Sequence, residues 1–239
     1  MSSKVKYIGI ESRIQYEVLE AAVFDYLQNG SIDKERCLLH IKQFTKGDNR
    51  AVKILKHISV LLKNNKYVLE IISRNLDTST FYQIGISDRR ALICCLFCQS
   101  FPIGYDILIV LAQALKVQEI VSKEVIVQKI GAIYGGNRAM HIAITEVMPL
   151  LIEFGLIVRV KVGLYTSAKK LTIANNLISE IVLYTDIKLS GSKSVLIDDL
   201  NFKPWYSFFD ISSLETEKLS KFISKKESAV GKGYLSISN

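Results

Sequence analysis

The sequence predicts a mainly α protein in three parts: an N-terminal helical bundle over residues 1–86, a central unit of helices closed by a short β-hairpin over residues 87–170, and a helical C-terminal extension over residues 171–239. Three observations predict it. Apolar residues recur in block after block at the i, i+3, i+4 and i+7 spacings that line one face of a helix. Glycines punctuate the blocks at Gly30, Gly47, Gly135-Gly136 and Gly155, where helices end. Strict alternation, the mark of a half-buried strand, appears at residues 156–162. With 49% hydrophobic residues the chain can bury a substantial core, and 3 prolines with 13 glycines leave little for flexible linkers.

Residues 9–29 read as a long helix carrying Ile14, Val18, Leu19, Ala22, Tyr26 and Leu27, stopped by Gly30. Ser31 and Asp33 open a second helix through Cys37, Leu38, Ile41 and Phe44, closed by Gly47. Asp48 caps a third, apolar at Ala51, Ile54, Leu55, Ile58 and Leu62, and a fourth starts near Asn65 with Val68, Leu69 and Ile72. Each has one apolar face, so these helices must pack on one another. On the third, Arg50, Lys53 and His57 share one side at i, i+3 and i+7, with Lys56 beside them and Lys46 just before. This is a second basic face for nucleic acid, or the plain solvated side of an amphipathic helix, which lysine commonly fills. The polar mixture at residues 75–86 marks the boundary to the next part.

Ser87-Asp88 opens a helix through Ala91, Leu92, Cys95, Leu96 and Phe97, broken at Phe101-Pro102. Residues 106–117 are helical again and residues 118–121 extended. Ser122-Lys123-Glu124 then caps a helix bearing Val125, Ile126, Ile130 and Ile133, and the Gly135-Gly136 pair permits a tight positive-φ turn. The next helix, residues 137–154, carries Met140, Ala143, Ile144 and Val147 on one face. Arg138, His141 and Thr145 lie opposite, in a stripe roughly 60° wide at about 100° per residue. Pro149 removes one backbone hydrogen bond from this helix, so a kink is expected there. After Gly155 the alternating stretch puts Arg159 and Lys161 on one side, and Gly163 turns the chain into Leu164-Tyr165-Thr166, followed by Lys169-Lys170.

This order of helix, glycine turn, helix and hairpin resembles a winged helix-turn-helix, over about a fifth of the chain. The resemblance implies an N-terminal helical bundle followed by a winged helix-turn-helix with a short β-hairpin wing, and double-stranded DNA as the partner. Arg138, His141 and Thr145 take the recognition face, with Lys123, Arg159, Lys161, Lys169 and Lys170 around it. The second basic face is Lys46, Arg50, Lys53 and Lys56. The whole chain is also similar, in order and length, to the small A-type protein family of BREX phage-exclusion systems. The carriers of that likeness are the N-terminal helices, then Ser87-Asp88-Arg89-Arg90-Ala91-Leu92, then a unit ending Phe154-Gly155-Leu156. It implies a DNA-binding accessory factor in phage defence, working with other proteins of a defence complex and without catalytic residues.

In the C-terminal part, residues 173–189 read as a helix with Leu177, Ile178, Ile181, Val182 and Tyr184, and Ser190-Gly191-Ser192 as a turn. The aromatic cluster Phe202, Trp205, Tyr206, Phe208 and Phe209 reads as core or docking surface ahead of base stacking. Ser212-Ser213-Leu214-Glu215 has capping-box form and predicts a last helix to Lys226, whose Lys218, Lys221, Lys225 and Lys226 complement the helix dipole. Residues 231–239 are expected to fray.

The net charge of +8 is unevenly spread: 13 Lys/Arg against 9 Asp/Glu in residues 1–86, 10 against 6 in residues 87–170, and 8 against 8 beyond. A basic balance confined to the first two parts suits a polyanion held there. Residues 1–7 lack the apolar core of a signal peptide, and apolar runs such as residues 91–97 are too short to span a bilayer, so a cytoplasmic protein without membrane contact is expected. Cys94, Cys95 and Cys98 crowd one apolar segment and Cys37 is remote, which is no disulfide framework. Cys94 and Cys98 share a helix face as two metal ligands would, yet no nearby His or matching Cys pair completes a site; buried thiols and no metal are expected.

No phosphate-binding loop, dinucleotide fingerprint, His-Glu-x-x-His or Gly-x-Ser-x-Gly occurs. His40, His57 and His141 are scattered, and Asp198-Asp199 lacks further ligands. The expectation is therefore a non-enzymatic protein, with no cofactor and no small-molecule substrate, that binds double-stranded DNA through its central unit. Its rivals are an adaptor that docks a partner protein through the same unit, and RNA binding by the N-terminal bundle.

Overall fold

The computed structural model describes residues 6–219, 221–228 and 231–238; residues 1–5, which bear on the signal-peptide reading, lie outside them. The chain is mainly helical, with small sheets. The N-terminal helices are α1 (Tyr16–Asn29), α2 (Lys34–Lys42), α3 (Asp48–Asn64) and α4 (Lys66–Asn75), followed by a 3₁₀ turn at Thr78–Gln83. Next come α5 (Ile86–Ser100), α6 (Pro102–Leu115), β1 (Val121–Ser122), α7 (Lys123–Tyr134), α8 (Arg138–Glu153), β2 (Ile157–Lys161) and β3 (Leu164–Ser167). The rest is β4 (Leu171–Thr172), α9 (Asn176–Ser190), β5 (Ser194–Leu196), β6 (Phe209–Asp210), β7 (Ile223–Lys226) and β8 (Tyr234–Ile237), with 3₁₀ turns between β5 and β7. The sheets have the orders β1-β3-β2 and β5-β8-β7, both antiparallel, and β4-β6, parallel.

Local chemistry sets the helix ends. Gly30 takes φ 70° and donates its N–H to the Tyr26 carbonyl, closing α1. The Asp33 carboxylate accepts the N–H groups of Glu35 and Arg36, and the Asn175 side chain those of Leu177 and Ile178, so α2 and α9 start with their free donors satisfied. Asp48 is the first residue of α3 behind a Gly47 cap, and its carboxylate meets Lys42 at 2.8 Å.

The middle of the molecule is α5. Every residue from Ala91 to Cys98 is buried, so this stretch of the helix has no solvent face, and the helix packs against α1, α3, α6 and α9. One continuous apolar cluster takes in Ile54 of α3, Phe97 of α5, Leu111 of α6, Ile144 of α8 and Ile181 of α9. Pro102 opens α6 where its missing N–H costs nothing, and the chain turns by 115° between α5 and α6.

Several sequence expectations are corrected. Helix α1 starts at Tyr16 rather than near residue 9, because Ile10, Ser12 and Ile14 are buried at alternate positions of a non-helical segment. Its first N–H, on Tyr16, is held at 2.8 Å by Glu153 at the far end of α8. The helix expected to run to Lys226 is absent from the described residues: a 3₁₀ turn at Thr216–Lys218 leads into β7. Glu180 explains why. Its Oε1, buried in α9, accepts the N–H groups of Lys221, Phe222 and Ile223 at 2.8, 2.6 and 2.8 Å, which pulls that backbone off a helical path. Residues 234–237 are not frayed but form β8, the central strand of its sheet, so the C-terminal part is mixed α and β rather than helical. Trp205, Tyr206, Phe208 and Phe209 are core, with the indole N–H donated to the Val182 carbonyl at 3.2 Å, while Phe202 is exposed. As the spacing predicts, one helix, α8, runs through Pro149 to Glu153.

Candidate nucleic-acid interface

Helix α8 presents the predicted stripe. Asn137 caps it by accepting the Met140 N–H at 3.0 Å, and Met140, Ala143, Ile144 and Val147 are buried. Arg138, His141 and Thr145 are exposed on the opposite side. The Thr145 hydroxyl donates to the His141 carbonyl at 2.9 Å and receives the Lys123 ammonium at 3.0 Å. The Lys123 backbone N–H in turn donates to the Gly163 carbonyl at 2.7 Å, fixing the hairpin turn against the start of α7. That turn needs φ 76° at Gly163, a conformation L side chains rarely adopt. Strand β1 holds the same arrangement from behind, with Val121 opposite Tyr165 and Ser122 opposite Leu164. Lys123, His141, Thr145 and the hairpin turn thus form one surface, and Arg138 stands one turn further along α8.

The hairpin departs from simple alternation. A bulge falls between Arg159 and Lys161, and beyond Ile157 all of β2 is exposed, Val158, Val160 and the tip residue Val162 included. Beyond Ile157 both faces of the outer strand are exposed among the described residues, so a period of two does not translate into one buried and one wet side. Arg159 and Lys161 are on the hairpin, as expected. Lys169 and Lys170 are elsewhere, at its base, where Ala168 bonds to Leu156 and Leu171 pairs with Phe209. The five residues of β2 separate base from turn by about 16 Å at roughly 3.3 Å per residue. Lys170 instead faces Asp210, whose carboxyl is held below its usual range mainly by Ser212 and secondarily by that lysine.

The second basic face lies alongside α8. Arg50 of α3 reaches Glu146 of α8 at 3.1 Å, and Lys53 reaches Glu11 at 3.3 Å. Lys56 shares a cleft of about 270 Å³ with Ala139 and Ile142 of α8 and with residues 7–11. His57 leaves the face on which the spacing put it. It is buried, edge-on to Phe101, and its Nε2 accepts the Glu11 N–H at 3.4 Å. Burial pushes its pKa down; Glu11 opposes this, and Lys56 and Lys53 add to it. Lys46 is exposed between α2 and α3. Glu146 and Glu11, the counter-ions of this face, were not found by sequence reasoning, because each pairs across the fold with a residue on a different element. Among the described residues Lys46, Lys56, Arg138, Arg159, Lys161, Lys169 and Lys170 make no ion pair.

Other candidate chemistry is tied up in the fold. Cys94, Cys95 and Cys98 are free thiols, fully buried, and burial pushes Cys94 and Cys95 well above the usual thiol range. Asp198 accepts the Lys232 N–H at 3.0 Å. Asp186, buried in α9, accepts from Tyr105 at 2.8 Å and Tyr206 at 3.3 Å and pairs with Lys203. Among the described residues no group of three or more His, Cys, Asp or Glu is placed to hold a metal, and no single helix is long and apolar enough to cross a membrane. Comparison of the chain with family models, with curated proteins and with solved structures finds no match.

Proposed function

We propose that α6, α7, α8 and the β1-β3-β2 sheet act as a winged helix that binds double-stranded DNA, with α8 in the major groove and the hairpin as the wing. The observation that carries this reading is the junction at Lys123: its ammonium on Thr145 and its N–H on Gly163 unite the start of α7, the exposed stripe of α8 and the wing turn in one basic surface. Arg138, free of any ion pair among the described residues, stands in the first turn of α8, where the helix dipole also favours an anion. A guanidinium there suits two acceptors on a guanine edge or a phosphate, while Lys123 and Lys161 supply position rather than sequence. No step of bond chemistry is needed. On the BREX resemblance, the chain acts as an accessory factor within a phage-defence complex.

A second reading is favoured by one feature, the exposed Val158 and Val160 on edge strand β2 and Val162 at the hairpin tip, which suit an adaptor that docks a protein partner. A salt-titrated binding assay on duplex DNA, single-stranded DNA and RNA separates the two. Duplex binding is expected, with a log–log salt slope of about 0.9 per phosphate neutralised. No duplex binding near roughly 50 mM salt leaves the adaptor reading.

A further inference from the structure

Thr145 and Glu146 are adjacent on α8, so their side chains leave the helix about 100° apart at the same height. Each meets a cation from a different element: Lys123 of α7 lies 3.0 Å from the Thr145 hydroxyl, and Arg50 of α3 lies 3.1 Å from the Glu146 carboxylate. Lys123, from the central unit, thus reaches the exposed stripe itself, and Arg50, from the N-terminal bundle, stands about 100° round the helix from it at the same level. A helix with its side chains is about 10–12 Å across and fills a major groove about 12 Å wide, whose two walls are the phosphates of opposite strands. Two cations about 100° apart around such a helix, one reaching in from α7 and the other from α3, lean towards opposite walls of the groove.

We infer that the DNA surface extends onto the N-terminal bundle, with Lys123 contacting the backbone of one strand and Arg50, exchanging Glu146 for phosphate, contacting the other. The inference rests on the DNA-binding reading above and adds a partner geometry to it. Arg50 is half exposed and holds only one carboxylate oxygen at hydrogen-bonding distance, so a fork of N–H donors remains for phosphate. Lys46, just before α3, and Lys56, beside Ala139 and Ile142 of α8, are exposed and make no ion pair among the described residues. Glu146 has the opposite effect. It occupies Arg50 when no DNA is present and repels any anion that does not seat α8 deeply enough to displace it. A partner with two parallel lines of phosphate fits both flanks, whereas a single strand leaves one of them empty.

The test is a salt titration of binding to a duplex and to its separated strands by the wild type, Arg50→Ala, Arg50→Gln, Glu146→Gln and Arg138→Ala, with melting curves as fold controls. Both Arg50 variants should lower the duplex salt slope by about one unit, equally on unrelated sequences, and leave single-strand binding unchanged. Glu146→Gln keeps the shape of the side chain and should tighten duplex binding. An unchanged slope in both Arg50 variants, alongside weakened binding by Arg138→Ala, overturns the inference and leaves the DNA reading standing. Loosened binding by Glu146→Gln overturns it as well, because Arg50 would then act through the glutamate. A wild type that binds no duplex defeats both.

Discussion

Lys123 and Thr145, 22 residues apart and on different helices, meet through Nζ and Oγ1 at 3.0 Å. Only this packing of α7 against α8 brings the first residue after a cap onto the exposed stripe of the next helix. The contact separates the cations that belong to the proposed DNA surface from those that merely share the same stretch of sequence.

Lys169 and Lys170 are the clearest instance. They stand at the hairpin base, beside Leu156 and Asp210, far from the turn that Lys123 holds. Replacing both by alanine should leave the duplex salt slope unchanged, whereas Lys123→Ala or Lys161→Ala should each reduce it by about one unit. A slope that falls by two units in the Lys169/Lys170 double variant would move the DNA surface to the base of the hairpin.

Glu180→Ala removes the acceptor for three consecutive backbone N–H groups and strands two of them, on Phe222 and Ile223, in a buried place. Each buried unpaired donor costs about 1–3 kcal/mol, so a loss of at least about 2 kcal/mol is expected in urea unfolding, with early amide exchange in β7 and β8. A loss under about 1 kcal/mol would mean that water or another group replaces the carboxylate.

His57 makes stability pH-dependent in a defined direction. Its folded pKa lies below the ordinary value of 6.5, chiefly through burial. The unfolded chain therefore takes up the proton first as pH falls. The histidine's contribution is complete above about 6.5 and is lost on acidification from there towards the folded pKa. Melting temperature should fall between roughly pH 7 and 5 more steeply in the wild type than in His57→Asn; identical slopes would show that His57 is not the group involved.

The cysteines should be inert in the native protein. Burial pushes Cys37, half buried, up to about 11 and holds Cys94 and Cys95 well above the usual thiol range; these two and Cys98 are fully buried. A thiol reagent at neutral pH should label Cys37 slowly and the other three only on unfolding. Rapid labelling of Cys98 would contradict the packing of α5.

The sequence pattern made most helices legible, since glycine stops and side-chain caps act within four residues: Gly30, Asp33, Asn137 and Gly155 all end or begin elements where the pattern puts them. What it concealed depends on contacts far along the chain. Glu153 decides where α1 starts from 137 residues away, and Glu180 converts a capping-box sequence into a turn and a strand from 41 to 43 residues away. The stripe Arg138, His141 and Thr145 was readable from periodicity alone, because an exposed face is the complement of an apolar one. The neighbourhood of Arg50 with Glu146 was not, for nothing local in either helix records the other.

The most direct test of the account is the affinity of Arg138→Ala for duplex DNA. Arg138 is exposed at the start of α8, and surface changes usually alter stability by less than about 0.5 kcal/mol, so the melting temperature should be unchanged. Loss of a bidentate contact to guanine costs roughly 1–3 kcal/mol, so affinity should fall at least about fivefold and discrimination between sequences should weaken. Wild-type affinity and wild-type discrimination in a fully folded Arg138→Ala would contradict the claim that α8 reads the DNA.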